Sequence, residues 1–233
     1  LFDFNPIDRH PKEPDRIYRS FRWGRDLELF IVDARSYRSE NALPDPPDSA
    51  KTMLGAEQLS WLKDGLIGST ATWKVVSIDV PLSVPTGGPA GGLGRDSWAD
   101  GEPGSKSATG FEREQRGLLA AMDRGNARNV VFITADVHFA AQLRYELDLD
   151  GDGDLLLFHE LIAGPLNAGR RAVPAFDPTL HPVVLYAEGE IFNFGTVRIG
   201  DQTTDVPRLH ADIRDETGHI RPGSELELAP ETP

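Results

Sequence analysis

Cysteine is absent from the 233 residues. That excludes disulfides, thiolate zinc sites, iron–sulfur clusters and a Cys nucleophile. It leaves the redox compartment open, since a Cys-free chain suits an exported protein as well as a cytosolic one. No run approaches the roughly 18 apolar residues of a membrane span. Positive charge is scarce: 24 Lys+Arg stand against 37 Asp+Glu, a net charge of −13. Nucleic acid is therefore not expected as the main partner, because a phosphate backbone needs a basic face. Lysine is scarcer still, with five among those 24 basic residues. Arginine is the better bidentate partner for phosphate and carboxylate, although genome base composition explains the bias at least as well. The G-x-S-x-G, P-loop, H-E-x-x-H and G-x-G-x-x-G patterns are also missing. Serine hydrolase, NTPase, zincin and Rossmann readings lose their usual support.

What is present reads as one folded domain. Hydrophobic residues make up 39% and charged residues 26%, enough for a core and too balanced for a disordered chain. Residues 27–33, 73–80 and 129–134 are continuous apolar runs, as expected of strands covered on both faces. Between them, 55–67 and 111–123 carry helical spacing, the second stopping at Gly125-Asn126. The order strand, helix, strand, long loop, helix, strand predicts an α/β fold with right-handed crossovers. Residues 155–162, 183–190 and 192–199 read as further strands, the last two closely joined. The loop 83–107 holds seven Gly and three Pro, yet contains Trp98. It is either a loop folded over something or a surface insertion. Residues 224–233 read as a frayed acidic tail. The chain starts at Leu1 without a signal-peptide pattern, as if entering mid-protein, so any export signal is expected upstream.

Ligands in open α/β sheets sit at the carboxyl ends of strands. Three strands end there in Asp33, Asp79, and the pair Asp136 and His138. On an extended strand, residues two apart point the same way, so Asp136 and His138 can address one ion. A satisfied histidine beside a capped turn is the competing reading. Arg35 either pairs with Asp33 to fix its loop or faces an anionic substrate. Asp79 reads as a ligand, a residue behind the ligands, or a turn residue. His159 is expected in the core or at its rim. Asp148, Asp150 and Asp152 match the first half of an EF-hand calcium loop, D-x-D-x-D-G, but position twelve is His159 instead of Glu. An acidic hairpin turn fits the same residues equally well.

The segments 16–24 (RIYRSFRWG), 29–38 (LFIVDARSYR), 53–59 (MLGAEQL), 73–76 (WKVV), 96–98 (DSW), 129–138 (NVVFITADVH), 164–166 (GPL) and 192–195 (FNFG) follow in a characteristic order. Together they resemble the alkaline phosphatase D (PhoD-like) family of metallophosphatases, from about residue 14 to residue 199. The resemblance implies a calcineurin-like fold, a sandwich of two mixed β-sheets flanked by helices. It implies hydrolysis of phosphate mono- or diesters, iron with calcium as cofactors, and export. Asp136 and His138 match the family's Gly-Asp-x-His motif, so metal-ligand and catalytic roles carry over to them. Asp79 becomes a third ligand or a residue behind the ligands, and Arg35 or Arg95 would neutralise the phosphoryl group. Two departures stand out. Ala135 replaces the motif's Gly, which would strain the loop if that position needs φ > 0. The family's early motifs, including its cysteine and a Trp-Asp-Asp-His segment, have no counterpart. The expectation is a C-terminal part of such an enzyme over 1–200, with an incomplete metal centre, and an acidic extension over 201–233. The rival expectation is a non-catalytic calcium-binding or interaction module using Asp148, Asp150 and Asp152.

Overall fold

The computed structural model describes residues 7–88, 92–101, 107–200 and 206–231. β1 (Arg19–Trp23) and β2 (Leu27–Ile31) form an antiparallel hairpin. The chain then crosses over through α1 (Ala56–Gly68) to β3 (Trp73–Ser77), parallel to β2. A second crossover through α2 (Glu112–Arg124) leads to β4 (Val130–Thr134), parallel to β3. β5 (Ala140–Leu147) and β6 (Leu156–Ile162) form a hairpin, with β6 lying parallel to β4. β7 (Val183–Glu188) closes the other edge, giving a seven-stranded mixed sheet in the order β1-β2-β3-β4-β6-β5-β7. β8 (Asn193–Ile199), β9 (Leu209–Asp215) and β10 (Leu226–Leu228) form a second sheet.

The architecture is mixed α/β with a large mixed sheet and a second sheet. The second sheet is antiparallel throughout its three strands, not mixed. The short link between β7 and β8 passes from one sheet to the other. Residues 206–231, within the stretch expected as an extension, supply β9 and β10. The end is not frayed up to Glu231, which bonds Arg128 and Asn129, and Ser224 is fully buried. Residues 201–205 and 232–233 lie outside the described residues, as do 89–91 and 102–106 of the long loop.

Burial follows periodicity. α1 buries Gln58, Leu62 and Leu66, four residues apart. α2 buries Glu114, Gln115, Leu118, Leu119 and Met122 on one stripe. Both stripes meet the large sheet through Phe30, Val76, Phe132 and Phe158 to form the main core. The opposite face of β3, β4 and β6 buries Trp73, Val131 and Leu161 beneath Leu209 and Ala211 of the second sheet. Cover on both faces explains why apolar residues dominate β3, β4 and β6.

His159 on β6 is buried, as expected of a core position. Burial, helped by the Arg144 charge, lowers its pKa to about 4. The unfolded chain therefore binds more protons than the folded one between about pH 4 and 6.5. The stability due to neutral His159 is complete above that window and is lost as pH falls through it, by about 3 kcal/mol. Urea unfolding at pH 7 and pH 4 tests this. His159→Gln is expected to lose about 2–3 kcal/mol less than wild type between the two pH values.

Candidate active site at the strand ends

β2, β3 and β4 are parallel neighbours, so the loops leaving their carboxyl ends emerge side by side. The first loop carries Arg35, the second Asp79, the third Asp136 and His138. Asp33 shapes the first loop. Its Oδ1 accepts the backbone N–H groups of Arg35 (3.0 Å) and Ser36 (2.9 Å). Its own backbone is clamped by buried Gln58, which accepts from Asp33 N and donates to Asp33 O. Asp33 therefore positions Arg35 through the backbone and does not pair with its guanidinium.

The Arg35 guanidinium reaches across the strand ends instead. Nε donates to Asp79 Oδ2 and Nη1 to Asp96 Oδ1, each at 2.7 Å. Nη2 lies 3.8 Å from Asp136 Oδ1. Burial disfavours the Arg35 charge, but Asp79 and Asp96 outweigh it and hold the pKa above its usual value. Burial raises the pKa of Asp136, reinforced by Asp96 and Asp79 and opposed by Arg35 and His138. Three carboxylates thus share one guanidinium, with Arg38 donating to Asp96 as a second cation.

Asp96 comes from the Gly-rich loop, whose described part folds inward. Trp98 is buried in the main core. Asp96 N bonds Thr86 O, and Thr86 N bonds Ser97 Oγ. Gly94 is required here: its φ is +81°, and a Cβ would lie 2.2 Å from Asn41 O. Arg95 serves this loop, with Nε on Asp100 O and Nη1 toward Gly87 O.

Asp136 and His138 are not on an extended strand, contrary to the expectation from their spacing. β4 ends at Thr134, and both residues adopt left-handed conformations, φ 70° and 66°. Ala135 does not, so the missing motif glycine introduces no such strain. Two non-glycine residues in this region cost about 1–3 kcal/mol each, a cost tolerated mainly at functional sites. The donors suit a metal ion, being a carboxylate and an imidazole whose buried Nδ1 has no hydrogen-bond partner among the described residues. No third Asp, Glu or His donor joins them within 4.8 Å among the described residues. Together with Asp96, Thr86 and Phe139, they line a cavity of about 690 Å³.

Behind the site, Glu160 of β6 is fully buried. It accepts hydrogen bonds from Leu82 N, Thr134 Oγ1 and Tyr145 O–H. It thereby ties the segment after Asp79 to the strand end before Asp136.

The acidic loop between β5 and β6 is a separate feature. Carboxylate oxygens of Asp123, Asp148 and Asp150 lie within 4.8 Å of one another. Asp152 is not in that group. These carboxylates also accept the loop's own N–H groups: Asp148 takes Gly151 and Gly153, Asp150 takes Asp152, and Asp123 takes Leu149 and Asp150. Such bonds are what an Asx-rich hairpin turn requires.

A mixed α/β chain that gathers charged side chains at the ends of three parallel strands has the layout of an open-sheet ligand site. It belongs to the PhoD-like phosphatase family, whose model matches residues 1–187. It is 28% identical over 174 residues to alkaline phosphatase D of Bacillus subtilis (strain 168), an alignment covering 70% of this chain and 28% of that protein. A solved structure of PhoD superposes with a TM-score of 0.57 at 19% identity, covering 99% of this chain and 48% of that one. The chain thus spans less than half the length of the relatives it matches. Among the described residues, no helix is long and apolar enough to cross a membrane.

Proposed function

We propose that the chain is the portion of a metal-dependent phosphoesterase that carries Asp136 and His138, acting on phosphate mono- or diesters. The observation supporting this most strongly is the convergence of Arg35, Asp79, Asp96, Asp136 and His138 at adjacent strand ends in a chain of this family. The calcineurin-like form of the fold, iron and calcium as the metals, and export belong to the same proposal and rest on the family resemblance. Asp136 and His138 would hold the metal, with Asp79 the third candidate. A bound metal supplies polarisation of the phosphoryl oxygens and an acidified water.

The chain's own residues contribute charge and position. Arg35 is locked by Asp79 and Asp96 through Nε and Nη1. Its Nη2 makes no hydrogen bond among the described residues and is available to a phosphoryl oxygen. Arg95 is spent on loop carbonyls and is assigned no substrate contact. Hydrolysis of bis-p-nitrophenyl phosphate at alkaline pH tests the reading, with the chain expressed together with its flanking reading frame and loaded with iron and calcium. Turnover that a chelator abolishes is the expected result. Full metal occupancy with no turnover of mono- or diester would overturn it.

A further inference from the structure

The cavity beside Asp136 has a wall that the proposed chemistry leaves unused. Residues 166–176 form a strap without helix or strand, leading from Pro165 to the short 3-10 turn at Pro178–Leu180. The strap is pinned to the site. Arg171 N donates to His138 O at 3.1 Å, and Arg171 O accepts from Glu190 N at 2.9 Å. Gly189 faces it so closely that a Cβ there would lie 2.5 Å from Arg171 O. The start of the strap is stapled to β8, since the Asn193 side chain bonds both N–H and C=O of Gly164. Arg170 and Arg171 are therefore held in fixed register with His138 and line the same cavity.

Both side chains are exposed, and neither has a carboxylate partner among the described residues. Arg170 lies over the Phe192 ring at 5.1 Å, which steadies the guanidinium without neutralising it. Other arginines near the site are committed: Arg35 and Arg38 to Asp96, and Arg221 to Glu188. Asp96, Asp136 and Glu190 line the same cavity, so its charge is mixed, and Arg170 and Arg171 supply its positive side. A guanidinium can hold an anionic group bidentately, and its attraction is stronger in a cleft than on an open surface.

We propose that Arg170 and Arg171 form a subsite for an anionic group on the alcohol portion of the substrate, so that the favoured phosphate esters are those whose leaving group carries its own negative charge. This rests on the phosphoesterase reading, in which the phosphoryl group itself lies toward Asp136, His138 and Arg35. The strap then selects substrates by charge, at a distance fixed by the Arg171-to-His138 backbone bond.

A pair of non-hydrolysable phosphonates of nearly equal shape tests the subsite. These are 4-carboxybenzylphosphonate, with a distal charge, and 4-carbamoylbenzylphosphonate, without one. Calorimetry on the metal-loaded protein is expected to show the carboxylate binding about tenfold tighter, with a preference that shrinks as salt is raised. The double variant R170Q/R171Q should erase the preference, weakening the carboxylate ligand about tenfold more than the carbamoyl ligand. Equal Kd values in wild type would overturn the subsite. So would a preference retained in the double variant, or equal weakening of both ligands, which would place the arginines on the phosphoryl group. Turnover of p-nitrophenyl phosphate and of bis-p-nitrophenyl phosphate is measured in parallel. Charge-selective binding without turnover sinks the phosphoesterase reading and leaves the anion subsite standing. Turnover without charge selectivity sinks the subsite alone.

Discussion

Asp136→Asn is expected to lower kcat/KM for bis-p-nitrophenyl phosphate more than about a hundredfold, since even residues behind a metal ligand cost 10–100-fold when changed. Asn is the informative replacement because Asp136 sits at φ 70°, a conformation Asn tolerates and Ala does not. The substitution removes charge and leaves the backbone in place. It should not destabilise the fold. Burial, with Asp96 and Asp79 nearby, raises the Asp136 pKa, so the folded protein disfavours this charge relative to the unfolded chain and its removal relieves repulsion. Tm is therefore expected to hold or rise while activity falls, the usual sign of a residue kept for function. His138→Asn, at φ 66°, should show the same split. Metal content per chain, measured alongside, should fall in both variants. Asp150→Ala in the acidic hairpin should leave activity unchanged. If Asp136→Asn kept its activity within threefold of wild type, Asp136 would leave the site. If Asp150→Ala lost activity instead, the calcium-module reading would gain.

The parallel strands were readable because of where they lie. β3 and β4 have both faces covered, so apolar residues dominate them, and β2 is read from Leu27, Leu29, Phe30 and Ile31. β5 was not foreseen, although Leu143, Tyr145 and Leu147 alternate with Gln142, Arg144 and Glu146 as a strand with one polar face does. β9 carries a clear signal in Leu209, Ala211 and Ile213, two residues apart and all buried, but it falls in an acidic stretch that suggested a tail. β1 is an edge strand with exposed Phe21 and Trp23, and its local burial is slight.

The site divides the same way. The placement of Asp79 and Asp136 at the ends of neighbouring strands was legible from the apolar runs that precede them. Asp96 stands in the D-S-W segment, where nothing local marks it as a site residue. It lies 61 residues from Arg35 along the chain, and only the folding-in of a loop anchored by Trp98 joins them. The bend at Asp136 and His138 was missed because i, i+2 spacing implies an extended strand, while both residues sit in the left-handed region. Asn193 and Gly164 came from two separate motifs and are bonded to each other in the structure. Motif order thus reported a contact that neither segment could reveal alone.

Glu160→Leu is expected to destabilise the protein by about 3–5 kcal/mol, because it strands the buried donors Leu82 N and Thr134 Oγ1 and leaves the Tyr145 O–H only Ser83. Leu82 N (2.8 Å), Thr134 Oγ1 (2.9 Å) and Tyr145 O–H (2.7 Å) all end on this carboxylate. Leu fills the volume, so the loss measures hydrogen bonding and not a cavity. Glu160→Gln should cost less than about 1.5 kcal/mol, since its carbonyl still accepts from Leu82 N and Thr134, and Tyr145 has Ser83 as an alternative partner. The two variants also separate charge from shape. Burial raises the Glu160 pKa, so between the unfolded value and the raised folded value the native state binds more protons than the unfolded state. Wild type therefore loses stability as pH rises through that window, and Gln does not. Urea unfolding from pH 4 to pH 8 should show the Gln variant gaining on wild type with rising pH. Function should follow position: Thr134 is two residues from Asp136 and Leu82 three from Asp79, so both variants should lower kcat more than they raise KM. A Leu variant as stable as wild type would mean that the three donors find other partners, and that the strand ends are held by the core alone.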